Sequence, residues 1–267
     1  MKIIHISDLH YDGKSSKTRK LVDKIIGHYK NQSNKPLIIN SGDLIENGGK
    51  KQLYGCKKHM KKLIDNGFEM LLCPGNHDIR KIKGAVKTSR GLKRFDSYYR
   101  ELLPSHSNFM GEEDNNLTDF PITHKYENFF FIGLNSNKRK EPITPGGRLG
   151  SNQLRELDEI ITEIHEEFEE AKIIIYLHHH PFEYNINIRN VIHFEQMQLI
   201  DRDDLHNIIK NRVETILFGH AHWDERLSDE EAKYGLKLAQ LSADCTHDGS
   251  NITFNEIDLS SFSVDRI

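Results

Sequence analysis

Residues 2–10 read Lys2-Ile3-Ile4-His5-Ile6-Ser7-Asp8-Leu9-His10, an apolar run that stops at a polar cluster. A near-continuous run of this kind predicts a strand covered on both faces, because a half-exposed strand alternates apolar and polar residues. The same event recurs down the chain. Apolar segments lead into Ser41-Gly42-Asp43, Pro74-Gly75-Asn76-His77-Asp78, His178-His179-His180-Pro181 and Gly219-His220-Ala221-His222. Strands are expected over 2–7, 36–41, 69–73, 128–134, 172–177 and 214–218, with two more alternating ones over 236–242 and 251–259. Helix-period segments at 17–30, 50–66, 92–103, 151–170 and 201–210 separate them. That order predicts a layered α/β domain. In open α/β sheets, ligands sit beyond the carboxyl ends of the strands. Five strand ends therefore bring Asp, His and Asn side chains to one rim.

Composition narrows the classes. The 267 residues are enough to bury a full core without disulfides or a structural metal. The balance of 37 Lys and Arg against 40 Asp and Glu removes a whole-chain electrostatic argument for nucleic acid, while leaving room for a local basic patch. Three cysteines, Cys56, Cys73 and Cys245, make no disulfide framework and suit a reducing compartment. With no apolar run of about 18 residues and no secretory leader in view, a cytoplasmic, non-membrane protein is expected. Histidine stands out, at 16 residues, as the commonest metal ligand and a residue suited to acid–base work.

Each polar cluster is weak alone. Asp-x-His after a strand reads equally as a turn or helix cap, and Gly-Asp as a turn start. In combination, Asp8-Leu9-His10, Gly42-Asp43, Gly75-Asn76-His77-Asp78, His179-His180-Pro181 and Gly219-His220-Ala221-His222 resemble the ordered blocks of the calcineurin-like metallophosphoesterase superfamily. The resemblance runs from about residue 2 to 224. It implies an α-β-β-α sandwich with a dinuclear metal site at the carboxyl ends of the strands. It further implies that Asp8, His10, Asp43 and His222 hold one ion, and that Asp43, Asn76, His179 and His220 hold the other. His179 is chosen because it stands two residues before Pro181, which leaves His178 and His180 to packing or support. His77 would protonate the leaving oxygen or stabilise charge in the transition state, and Asp78 would orient His77 or cap the turn.

The implied reaction is hydrolysis of a phosphate ester by a metal-activated hydroxide. Paired divalent ions neutralise the ester and acidify a bound water. The mixed donors suit Mn²⁺, Fe²⁺ or Fe³⁺, Zn²⁺, Co²⁺ or Ni²⁺ rather than Ca²⁺. Departures narrow the branch. Purple acid phosphatases carry Tyr three residues after the bridging Asp, where this chain has Glu46. Protein Ser/Thr phosphatases carry a phosphate-gripping Arg where this chain has Asn47. The stretch Gly147-Arg148-Leu149-Gly150-Ser151-Asn152-Gln153-Leu154 is similar to small bacterial phosphohydrolases related to class III cyclic-nucleotide phosphodiesterases. A cyclic nucleotide or similar small diester is the expected substrate. A nuclease or phosphomonoesterase of the same superfamily is the alternative, nucleic acid being less favoured by the charge balance. A non-catalytic interaction module on the same scaffold is a reading of another class.

A single domain over 1–267 is expected, interrupted by a cap-like basic insert at about 79–121. Arg90 and Arg94 are its candidate substrate contacts, along with Lys81. Phe95, Tyr98 and Tyr99 lie beside these charges, placed either to stack on a base or to pack a short helix onto the domain.

Overall fold

The computed structural model describes residues 1–14, 16–79, 88–104, 117–137, 146–183, 198–242 and 252–267. The chain runs β1 (Lys2–Ile6), α1 (Lys17–Tyr29), β2 (Leu37–Asn40), α2 (Lys50–Asp65), β3 (Met70–Leu72), α3 (Asn76–Ile79), α4 (Thr88–Tyr99) and a 3₁₀ turn at Arg100–Leu102. It continues with β4 (Ile122–Tyr126), β5 (Phe129–Gly133), α5 (Ser151–Glu167), β6 (Lys172–Tyr176), α6 (Arg202–Ile209) and β7 (Thr215–Phe218). It ends with β8 (Glu225–Arg226), α7 (Ser228–Tyr234), β9 (Leu238–Leu241), β10 (Asn255–Asp258) and β11 (Ser263–Arg266).

These strands form two sheets. The first has the order β11-β10-β1-β2-β3, the second β4-β5-β6-β7-β9-β8. Strands β1, β2 and β3 run parallel, as do β5, β6, β7 and β9. The added strands β10, β11, β4 and β8 are antiparallel. Side-chain parity divides the second sheet between two apolar clusters. Phe131, Ile174, Tyr176 and Leu217 face the first sheet and share one apolar cluster with it and with helices α1 and α2. Phe130, Ile173, Ile175 and Leu177 face outward and are covered by α5 and α6. The result is the α-β-β-α sandwich, and every parallel strand is buried on both faces, as the uninterrupted apolar runs require.

Several elements depart from the sequence expectation. The helix expected over 92–103 starts earlier, at Thr88, and tightens into the 3₁₀ turn at Arg100. Strand β4 joins β5 as a hairpin, and its alternation over Ile122-Thr123-His124-Lys125-Tyr126 is too mixed to read as apolar. Phe95 and Tyr99 are fully buried with rings 4.9 Å apart. They pack α4 onto the domain, so a base-stacking role for these two is excluded. Lys81 and Cys245 lie outside the described residues.

Candidate metal centre

The parallel strands of both sheets end at one rim, where the loops after β1 and β2 run side by side. Asp8 donates its amide to Gly42, His10 to Asp43 and Tyr11 to Leu44, each at 3.0 Å. Eight non-glycine residues among those described have positive φ, and five are Asp8, His10, Asp43, His220 and His222. Such a conformation costs about 1–3 kcal/mol each and persists only where the surroundings over-determine it. Here it turns the backbone sharply, so that polar side chains from separate loops aim at one place.

Two adjacent loci result. In the first, Asp8 Oδ1 lies 3.7 Å from His10 Nε2 and 3.8 Å from His222 Nε2. His10 Nε2 is 3.8 Å from Asp43 Oδ2, and the His10 and His222 rings stack 4.9 Å apart. In the second, Asp43 Oδ2 is 3.2 Å from His178 Nε2. That nitrogen is in turn 3.1 Å from Asn76 Oδ1 and 3.1 Å from His220 Nδ1. Asp43 Oδ2 belongs to both. Ligand atoms about 2.0–2.2 Å from a shared ion sit roughly 3–3.5 Å from one another, close to these separations.

The chemistry of the donors fits a pair of divalent ions. Asp8 Oδ1, Asp43 Oδ2 and His10 Nε2 are buried with no hydrogen-bond partner. A buried carboxylate oxygen left this way is costly unless a cation meets it. Burial alone would raise the Asp8 and Asp43 carboxyls, but the surrounding imidazoles hold both below their usual range. Conversely, burial would lower His10 and His178, but the two carboxylates raise them to about 10 and about 9. The site thus draws positive charge inward.

Of the expected ligands, Asp8, His10, Asp43, Asn76, His220 and His222 converge as described. At the remaining place the converging imidazole is His178, where the resemblance pointed to His179. Strand β6 accounts for this: Ile174 and Tyr176 face the first sheet, so His178, two residues on, faces Asp43. His178 Nδ1 is fixed by the Ser41 carbonyl at 2.9 Å, which leaves Nε2 for the site. His179 instead sets Nδ1 2.7 Å from Ser136 Oγ, with its ring 4.6 Å from that of His220. His180 lies edge-on to Phe218 in the outer cluster.

His77 opens α3. Its amide donates to Asp43 Oδ1 at 2.8 Å, its Nδ1 meets the Glu46 carbonyl at 2.5 Å, and its ring stands edge-on to His10 at 4.7 Å. Asp78 is fully buried and accepts from the amides of Gly75 (2.8 Å) and Ile45 (3.1 Å). It therefore ties the loop after β3 to the loop after β2. Burial, then the charge of Asp43, raises its carboxyl to about 8. Arg90 is exposed and Arg94 half-buried on α4, which packs against α3.

Some residues of the rim escaped the sequence reading. Glu46 places Oε2 3.1 Å from His10 Nδ1 and Oε1 3.9 Å from His77 Nδ1. Its position three residues after Asp43 was the available signal. The end of β5 contributes a sixth polar cluster, Asn135-Ser136-Asn137, all buried. Within it, Asn137 Nδ2 donates to the Pro74 carbonyl at 2.8 Å and Ser136 holds His179.

Known proteins place this arrangement. Residues 1–224 match the family model described as calcineurin-like phosphoesterase. A protein of Arcobacter nitrofigilis named probable glycerophosphodiester phosphodiesterase GpdQ is 26% identical over 235 residues, covering 83% of this chain and 72% of its own. The DNA double-strand break repair protein Mre11 of Methanopyrus kandleri is 25% identical over 126 residues, covering 43% of this chain and 28% of its own. Among solved structures, purple acid phosphatase PPD1 from yellow lupin superposes with a TM-score of 0.63 at 11% identity, a likeness of fold alone. It covers all of this chain, which spans about half (51%) of the lupin protein. The family match over most of its length makes this chain a member of the calcineurin-like phosphoesterases, metal-dependent hydrolases of phosphate esters.

Proposed function

We propose that the chain hydrolyses small phosphodiesters, with a cyclic nucleotide the leading candidate. The observation that carries the diester reading is Glu46. It is 40% exposed and sits beside His10 and His77 at the mouth of the site. A diester carries one negative charge and a monoester close to two, so an anionic side chain here penalises the monoester more. The neighbouring position holds Asn47 rather than a phosphate-gripping arginine. The similarity to a protein named as a probable phosphodiesterase points the same way.

In this reading Asp8, His10, Asp43 and His222 would hold one ion, while Asp43, Asn76, His178 and His220 would hold the second. A bound pair of Mn²⁺, Fe²⁺, Zn²⁺, Co²⁺ or Ni²⁺ supplies charge neutralisation and water activation. His77, anchored through its amide to Asp43 and through Nδ1 to the Glu46 carbonyl, presents Nε2 to donate a proton to the leaving oxygen. Asp78 supports this geometry through the Gly75 and Ile45 amides. Of the cap expected over 79–121, residues 80–87 and 105–116 lie outside the described residues; in this reading its helix α4 makes Arg90 and Arg94 available to an anionic substrate.

The test is a panel of cyclic nucleotides, bis-p-nitrophenyl phosphate, p-nitrophenyl phosphate and single-stranded DNA with Mn²⁺. The expected result is two ions per chain and a kcat/KM at least about tenfold higher for the diester. Glu46→Gln should narrow that ratio, and His77→Ala should keep both ions and lose turnover. A preference for the monoester that Glu46→Gln leaves unchanged would defeat the diester reading. Absence of both metal and turnover would favour an interaction module.

A further inference from the structure

The formal charge of −3 conceals a division of charge between the two outer layers. Helices α1, α2 and α4, which belong to the first-sheet side, carry thirteen lysines and arginines against three aspartates. Helices α5, α6 and α7, on the second-sheet side, carry three against eleven acidic residues. Helix α2 is the centre of the basic layer, packed between α1 and α4. At about 3.6 residues per turn, Leu53, Cys56, Met60 and Leu63 point into the core. Lys50, Lys51, Lys58, Lys61 and Lys62 then lie exposed away from that face, and Lys57 is half-buried on its flank.

Half of these lysines are matched by carboxylates: Lys57 by Glu101, Lys61 by Asp65 and Lys62 by Asp23. Lys50, Lys51 and Lys58 have no carboxylate partner among the described residues. Between them stands Tyr54, 55% exposed and one of two large exposed apolar side chains among the described residues, with Lys58 Nζ 4.6 Å from its ring centroid. The start of α2 is joined to the catalytic rim, since Gln52 Nε2 donates to the Asp12 carbonyl just after His10.

We propose that the outer face of α2, with α1 and α4 beside it, is a docking surface for single-stranded nucleic acid. Unmatched lysines suit a phosphate backbone, and an exposed aromatic ring among them suits a stacked base. An anionic membrane is the poorer fit. Among the described residues the face offers one exposed aromatic and no other exposed large apolar side chain to insert among lipids. The proposal stands apart from the identity of the ester cleaved at the metal centre.

The experiment measures fluorescence anisotropy of a labelled oligothymidine of about 20 nucleotides with the full chain, titrated at several salt concentrations, while a gel checks strand integrity. The expected result is micromolar affinity at low salt and a log–log salt slope of about −3 or steeper, at about −0.7 per phosphate contacted. Lys50→Glu, Lys51→Glu and Lys58→Glu combined should weaken binding at least about tenfold and flatten the slope. Tyr54→Ala should weaken it about tenfold with the slope unchanged. Both variants should keep wild-type thermal unfolding and wild-type turnover of bis-p-nitrophenyl phosphate, which separates this proposal from the catalytic one. Binding unaffected by the triple variant would overturn it. So would an unaltered affinity in Tyr54→Ala, or capture of phosphatidylserine vesicles in place of the oligonucleotide. Self-association at low salt without strand binding would assign the face to the acidic layer of a second copy and overturn it equally.

Discussion

The imidazole that completes the second locus was legible in type but not in position. Three consecutive histidines follow β6, and their spacing to Pro181 selects His179. The face that β6 turns toward the first sheet selects His178. That face is set by which side the partner sheet lies on, and a continuous run such as Ile173-Ile174-Ile175-Tyr176 hides it because both sides are apolar. We expect His178→Ala to bind one ion fewer per chain by metal analysis and His179→Ala to keep two, the reverse outcome restoring His179. His5 gives a prediction of another kind. It is buried on β1 with Nε2 2.9 Å from Ser41 Oγ, and burial lowers it from 6.5 to about 4. Its folded value lies below its unfolded one, so the unfolded chain gains a proton first as pH falls. Its stabilising contribution is whole above about pH 6.5 and is lost on descent toward pH 4, by up to about 3 kcal/mol. Urea unfolding between pH 7 and 5 should show a shallower acid decline in His5→Gln.

Among the elements, the loops matter more than the strands they terminate. Gly75 lies in the loop after β3, and a Cβ there would meet Asp43 Oδ1 at 2.0 Å and the Asp43 amide at 2.3 Å. The clash is with a backbone atom and with the carboxylate shared by both loci, so neither neighbour can yield without moving the site. Gly75→Ala should cost about 1–3 kcal/mol of stability and lower metal affinity at least about tenfold, read by thermal unfolding and by Mn²⁺ titration. An unaltered titration would show that the carboxylate adjusts. Sequence reading located most long elements because their apolar period is strong, as in α2 and α5. It missed the short ones for physical reasons. β8 has two residues, both exposed, and β11 is a largely exposed edge. Helix α7 was missed although Asp229, Glu230 and Glu231 in its first turn and Gly235 beyond its end are ordinary helix punctuation.

At the scale of the whole molecule, the alternation of strand and helix announced an α/β layer but not its division into two sheets. β1, β2 and β3 supply Asp8, His10, Asp43 and Asn76 through their end loops. β6 and β7, in the other sheet, supply His178, His220 and His222. Ions held by these residues would join the two sheets, so their removal should loosen the sandwich as a whole. Mn²⁺ at about a hundred times its dissociation constant should add about 2.7 kcal/mol to unfolding, seen as a raised Tm that EDTA reverses. A Tm indifferent to EDTA would mean that the apolar face between the sheets holds them unaided. The split also has a consequence for how the site is made. A ribosome releases Asp8 through Asn76 about 100 residues ahead of His178, an interval of roughly 5–20 s at ordinary synthesis rates. During that interval the second locus has its carboxylate and amide but neither imidazole. Metal capture by these ligands would thus be a late event in the life of the nascent chain, and a product truncated before His178 would emerge with half a cradle and little hold on either ion.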